Sequence, residues 1–253
     1  MDTDRSTSGT IKTARRVFDV LELTRDRNGV ALPEVAEELD VATSTAHGYL
    51  TTLEELNYLV REDEQFHLGL TFLRYGNASK DRLDYLDVVE PTLEKFAEQT
   101  GEAVWFVAEE SGRAVYLIKK EGSNAARTSG AVGKEAPLHA SAAGKAILAG
   151  QPDKRIDEIE LPEYTEATIT DRQRLREEIA EVRETGVAYN DNDNLIGLRG
   201  VGCPIHVEGR TIGAISVGGP AERIRDEFFH EELPNSLRGT ANEIELNLSE
   251  PNF

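Results

Sequence analysis

The chain has 253 residues, a formal net charge of −19 and 39% apolar residues. That apolar content supports one large core or two of ordinary size, and no apolar run approaches the roughly 20 residues a membrane span needs. The single cysteine, Cys203, excludes an internal disulfide and a cysteine-rich zinc finger, and the start MDTDRSTSG has the character of neither a signal nor a transit peptide. A soluble cytoplasmic protein, with no membrane partner and no cofactor, is expected.

Residues 1–9 read as a disordered tail. From there, Ile11, Ala14, Val17, Phe18 and Leu21 recur at helical spacing, and Asn28-Gly29 ends that helix. Lys12, Arg15 and Arg16 stand at its start as candidates for phosphate contacts, with ordinary solvated charge as the alternative. Leu32, Val35, Ala36 and Leu39 form one face of a short helix whose Pro33 suits the first turn. After Asp40-Val41-Ala42, a second run places Ala46, Tyr49, Leu50, Leu53 and Leu56 together, with Thr43 or Ser44 able to cap its start. Two short helices joined by three or four residues make a helix-turn-helix, whose second helix is built to enter a DNA major groove. Tyr58–Arg61 and Gln65–Leu68, strand-like around Glu62-Asp63-Glu64, supply a hairpin in the position of a wing. A structural helical hairpin is the alternative.

With the apolar set turned inward, the second helix shows Thr43, Ser44, Thr45, His47, Gly48, Thr51 and Thr52, and Arg61 sits on the wing. Hydroxyls and an imidazole reach phosphates or base edges, but no arginine is present to read guanine with two bonds. Residues 1–80 carry 9 Lys+Arg against 14 Asp+Glu, an awkward balance for binding a polyanion. A cytoplasm of multimolar salt reconciles the two, because charge is screened within about 3 Å at 1 M.

Helical segments are expected at 71–78 and 84–99, with Pro91 marking a boundary or kink. Beyond Gly101 the texture changes to strands. Ala103–Ala108 and Ala114–Lys119 flank a turn, a polar loop follows over 121–130, and Ser141–Ala149 is a small-residue helix. Asp171–Thr185 is a charged helix with Leu175, Ile179 and Val182 inward. Gly186–Tyr189, Gly200–Val207 and Thr211–Val217 are strands, and Phe228–Leu248 is helical with its start interrupted at Pro234. Antiparallel pairs with flanking helices indicate an α+β chain. It divides into a winged helix-turn-helix domain over 10–75, linker helices over 76–100 and a sheet domain over 101–253.

The order of these elements, with PLHASAAGKAILA (Pro137–Ala149), GVAYNDND (Gly186–Asp193), GLRGVGCPI (Gly197–Ile205) and ISVGGP (Ile215–Pro220), resembles the IclR family of transcriptional regulators. The likeness spans about residues 10 to 248. It implies a homodimer, often a dimer of dimers, joined largely through the N-terminal domains and bound to double-stranded operator DNA. It also implies a GAF-like C-terminal domain that binds a small acidic or aromatic metabolite. Mapped by motif, the effector site would include Gly133, Leu138, Ala143, Gly144, Asp191, Cys203, Ser216 and Gly218. Gly144 at a helix start allows backbone N–H groups to meet an anion. Relatives commonly carry arginine where Gly48 stands, and often cysteine where Gly200 stands and a second serine where Gly218 stands. The last two departures remove polar groups and enlarge the pocket.

Enzyme readings carry less support. Cys203 with His139 or His206 could be imagined as nucleophile and base, but an offset of three along a strand sends Cys203 and His206 to opposite faces. Gly144-Lys145 lacks the glycine spacing of a phosphate-binding loop. His139, Asp191 and Cys203 suit a metal by ligand type only, and no metal site is expected. The rival to a ligand-responsive DNA-binding regulator is a sensory or hydrolytic α+β domain whose winged helix serves protein association alone.

Overall fold

The computed structural model describes residues 11–125 and 130–249. The expected polar tail therefore lies outside the described residues, as does part of the expected loop after Glu121. The chain divides into two compact units, Met1–Arg82 and Leu83–Phe253.

The first unit comprises α1 (Lys12–Arg27), α2 (Leu32–Glu38), α3 (Thr43–Glu55), the hairpin β1 (Leu59–Glu62) and β2 (Gln65–Leu68), and α4 (Thr71–Lys80). Asn28 closes α1 in the left-handed region, and Pro33 occupies the first turn of α2. The four-residue turn to α3 bends at Asp40, also left-handed. Val20, Leu21, Val30, Val35, Leu39, Ala46, Leu50, Leu53, Leu59 and Phe66 close the core.

Three local expectations fail here. Ala42, not Thr43 or Ser44, is the N-cap of α3, and it makes no side-chain cap bond, so Thr43, Ser44 and Thr45 form the first turn. On α1 the inward set is Val20, Leu21 and Thr24, whereas Ile11, Ala14 and Phe18 are exposed. Leu56, at the C-cap of α3, is exposed as well.

In the second unit a six-stranded antiparallel sheet runs in the order β5-β4-β3-β8-β7-β6. Its strands are β3 (Ala103–Glu110), β4 (Arg113–Glu121), β5 (Glu135–Ala136), β6 (Ala188–Asp191), β7 (Leu198–Val207) and β8 (Arg210–Pro220). Ser111-Gly112 and Glu208-Gly209, both pairs at positive φ, make the β3–β4 and β7–β8 turns that match strand twist. One sheet face packs against α5 (Leu86–Thr100) and α9 (Leu233–Ser249), burying Val104, Phe106, Val201, Cys203, Ile215 and Val217 among their residues. The other carries α6 (Ala142–Ala149) and α8 (Arg172–Thr185), with the short α7 (Asp153–Glu158) beside them.

α5 was expected as part of a linker. It instead contributes Leu86, Val89, Leu93, Phe96 and Ala97 to this core, and it continues through Pro91. Before α9, Phe228–Glu232 forms a wide π turn that runs directly into α9, so the helical path continues through Pro234 rather than stopping at it.

Candidate functional site

In the first unit, α3 turns Thr43, Ser44, Thr45, His47, Gly48 and Thr52 outward, with Thr51 half-buried. Thr52 donates to the Gly48 carbonyl at 2.7 Å, and His47 Nδ1 lies 3.4 Å from the Thr51 hydroxyl. No Lys or Arg occurs on this helix. Lys12, Arg15 and Arg16 surround a surface hollow on α1 together with Asp19. Arg61 is committed to the wing: its Nε donates to the Asp63 carbonyl at 3.1 Å, and its guanidinium lies 5.6 Å from the Phe66 ring centre. Glu64 stands 3.8 Å from the same guanidinium. The wing tip is thus a partly self-neutralised charge cluster rather than a free cation.

A Cβ at Gly48 would meet nothing within 4 Å. Gly48→Arg is therefore expected to raise DNA affinity several-fold and to steepen the log–log salt dependence by about 0.9 per phosphate reached. Titrations at two KCl concentrations test this, and an unchanged slope would show that the side chain misses the backbone.

In the second unit, a cavity of about 590 Å³ opens on the α6 face of the sheet. Strand parity builds its floor. Across β3, β8 and β7, Trp105 faces Ser216 and Ser216 faces Gly202; in the next rank Ala103, Gly218 and Gly200 align. Gly200 and Gly218 bring no side chain, so the floor there is backbone. Tyr116, Tyr164 and the Asn190–Asn194 corner supply walls, and Ser141 to Ala143 bring the N-terminus of α6 to the rim. Ser141 caps that helix, accepting from Gly144 N–H at 3.1 Å while donating to the Pro137 carbonyl at 2.7 Å.

Of the residues predicted for this site, Ala143, Ser216 and Gly218 lie on the cavity. Gly133, Leu138, Gly144, Asp191 and Cys203 do not. Gly144 has its N–H taken by Ser141, and its missing Cβ serves packing, since one there would sit 2.6 Å from Leu138 backbone. Asp191 binds Arg199 through both carboxylate oxygens, at 2.8 and 3.1 Å. Cys203 is three residues from Gly200, an odd offset that turns it to the opposite sheet face among Val201, Ile205 and the α9 residues. Burial pushes its thiol pKa up to about 12, the reverse of what a nucleophile requires. Among the described residues no group of three His, Cys, Asp or Glu could hold a metal ion.

Beneath the cavity lies a buried ionic cluster absent from the expectations. Lys145, 2% exposed on α6, donates to Asp193 Oδ2 at 2.6 Å and to Glu178 of α8. His139 Nε2 lies 3.0 Å from the Pro162 carbonyl, and burial lowers its pKa. Thr165 and Thr168 donate to the Asp193 carbonyl, and the Asn190 side chain accepts Asp193 N–H at 2.9 Å. These bonds hold the segment that supplies Asn194 to Leu198 to the cavity wall.

Residues 13–63 match the IclR helix-turn-helix domain, and residues 78–246 match the family described as bacterial transcriptional regulator IclR C-terminal. The chain is 32% identical to a Halobacterium salinarum protein named as the HTH-type transcriptional regulator ArcR, over 98% of this chain and 99% of that protein. Thermotoga maritima IclR is similar in structure with a TM-score of 0.79 at 28% identity, covering 95% of this chain and 100% of that one. An IclR homologue from Microbacterium hydrocarbonoxydans, complexed with 4-hydroxybenzoate, has a TM-score of 0.79 at 24% identity, covering 94% of this chain and 99% of that one.

Proposed function

The chain belongs to the IclR family of transcriptional regulators, and from that premise we propose which residues of this DNA-binding regulator read its operator and which hold its effector. It is a regulator, not an enzyme, and its C-terminal domain binds the effector. α3 enters the major groove with Thr43, Ser44, Thr45, His47, Thr51 and Thr52, while Lys12, Arg15, Arg16 and Arg61 touch flanking phosphates. The effector is a small carboxylate or aromatic metabolite held in the cavity over Gly200, Ser216 and Gly218. One observation carries this reading: an apolar, aromatic-walled cavity with a glycine floor and a few polar groups, on a chain that also bears a winged helix. The 4-hydroxybenzoate held by the Microbacterium homologue supports an aromatic acid.

The protein acts as a homodimer, since a unit with so few cations needs two half-sites. Its acid excess suits a cytoplasm of high KCl. The regulatory step is a difference in effector affinity between dimer arrangements that fit and do not fit the operator.

A DNA shift assay in molar KCl, with the fragment upstream of the chain's own gene, tests the assignment. Absence of sequence-selective binding under every salt and metabolite condition would overturn it. His47→Ala and Arg61→Ala are each expected to weaken operator binding about fivefold, roughly 1 kcal/mol. If neither does, α3 docks in another orientation. Mass spectrometry of ligand carried through purification names the effector.

A further inference from the structure

Trp105 is the only tryptophan of the chain, and it stands in the cavity wall with 7% exposure. Among the described residues, two buried side-chain polar atoms have no hydrogen-bond partner. One is Trp105 Nε1; the other, Gln151 Oε1, belongs to a residue that does not line the cavity. A buried donor left bare is costly and uncommon, so each case calls for a reason.

The surroundings supply one. Gly130 packs over the nitrogen, where a Cβ would come within 2.9 Å of Nε1, so position 130 offers no side chain to satisfy it. Both residues line the cavity, and the nitrogen itself has no exposed surface, so a ligand entering there would have to displace the Gly130 backbone to reach it. Next to the ring, a Cβ on Gly218 would lie 3.6 Å from the six-membered edge of the indole and 3.3 Å from the Arg199 carbonyl oxygen, so the bare glycine keeps a slot of the cavity open beside the ring. Tyr116 stands 6.1 Å away at 60°. Ser216, directly across from Trp105, offers a hydroxyl to the same space.

We propose that Trp105 is the specificity-determining donor of the effector cavity, giving its Nε1–H to an oxygen on a planar aromatic acid whose ring occupies the slot over Gly218. Indole N–H donates and never accepts, so it selects for a carboxylate, carbonyl or phenol oxygen. The ring face is what a short oxoacid lacks: it would leave the apolar slot empty. This inference rests on the cavity being the effector site.

The test uses the full-length protein in molar KCl with benzoate and pyruvate as probes, followed by calorimetry, thermal melting and tryptophan fluorescence. Wild type is compared with Trp105→Phe, which keeps an aromatic ring and removes the donor, and with Gly218→Leu, which fills the slot. Benzoate is expected to raise the melting temperature of the wild type and to change its single-tryptophan emission. Trp105→Phe should bind benzoate about tenfold more weakly than wild type. Gly218→Leu should bind neither probe. If benzoate binds Trp105→Phe as tightly as wild type and Gly218→Leu abolishes binding, the donor role falls and the cavity assignment stands. Pyruvate binding in place of benzoate, again abolished by Gly218→Leu, has the same consequence. If neither probe binds the wild type, the inference and the cavity assignment both fall.

Discussion

Lys145→Met is expected to destabilise the second unit by about 3–5 kcal/mol, the cost of breaking a buried ion pair from one side. Lys145 is 2% exposed, and its ammonium meets Asp193 and Glu178, whose side chains are 10% and 29% exposed. Removing the cation leaves Asp193 as a buried carboxylate, since its bonds to Thr165, Thr168 and Asn190 run through its backbone and do not neutralise it; Glu178, nearer to water, adds less. For a unit of this size the loss corresponds to a fall of roughly 10 °C in melting temperature. Calorimetry or a denaturant titration reads the change. The double variant Lys145→Met with Asp193→Asn should recover part of it, because the penalty belongs to the unpaired charge and not to the lost contact. A single variant as stable as the wild type would show that the cluster is solvated in solution. The functional consequence follows from position. Asp193 anchors the corner from which Asn194 to Leu198 reach the cavity, so effector affinity should fall with stability.

Phe18→Glu combined with Leu73→Glu is expected to give a folded monomer that has lost operator affinity on the order of 100-fold, the lower end of what linking two weak binding units supplies. The motive is an apolar surface with no partner in the chain's own core. Ile11 is 72% exposed, Phe18 66% and Leu73 61%. Among the described residues, α4 leans on its own unit only through Phe72 and Tyr75, which meet Tyr58, and fully buries none of its residues. Something must therefore cover it, and in a protein proposed to act as a homodimer a second copy is the natural cover. Light scattering reads the oligomeric state, circular dichroism checks the fold, and a DNA titration gives the affinity. A variant that remains dimeric and binds the operator as before would place the dimer contact elsewhere.

The difference between these faces of α1 shows where legibility stops. The helix carries two apolar stripes, one with Val20 and Leu21 and one with Ile11, Ala14 and Phe18. Helical periodicity gathers Leu21 with Ile11, Ala14, Val17 and Phe18 as one face and passes over Val20. It cannot tell the stripe that packs on its own core from the stripe left for another molecule, because both are equally apolar. The same holds for the ligand side. The residue types of the cavity were visible in the motifs around Ser216 and Gly218. Cys203, by contrast, was assigned to the cavity although its odd offset from Gly200 on one strand sends it to the other face. That error was avoidable from the two-residue period alone.

By itself, the sequence determined what depends on near neighbours. The helix-turn-helix and its wing follow from 3.6- and 2-residue periods within forty positions, and the sheet hairpins follow from turns at Ser111-Gly112 and Glu208-Gly209. The same local logic places Ser141 and Asp171 at the starts of α6 and α8. Tertiary structure alone decided what depends on distant partners. Lys145 finds its carboxylates 33 and 48 residues away, and nothing in the run Ala-Gly-Lys-Ala distinguishes it from an exposed lysine. Trp105 becomes a bare donor only when β3 pairs with β8 and Gly130 closes over it. The physical reason is common to both: a polar atom's value depends on whether water or protein surrounds it, and burial is a property of the assembled fold.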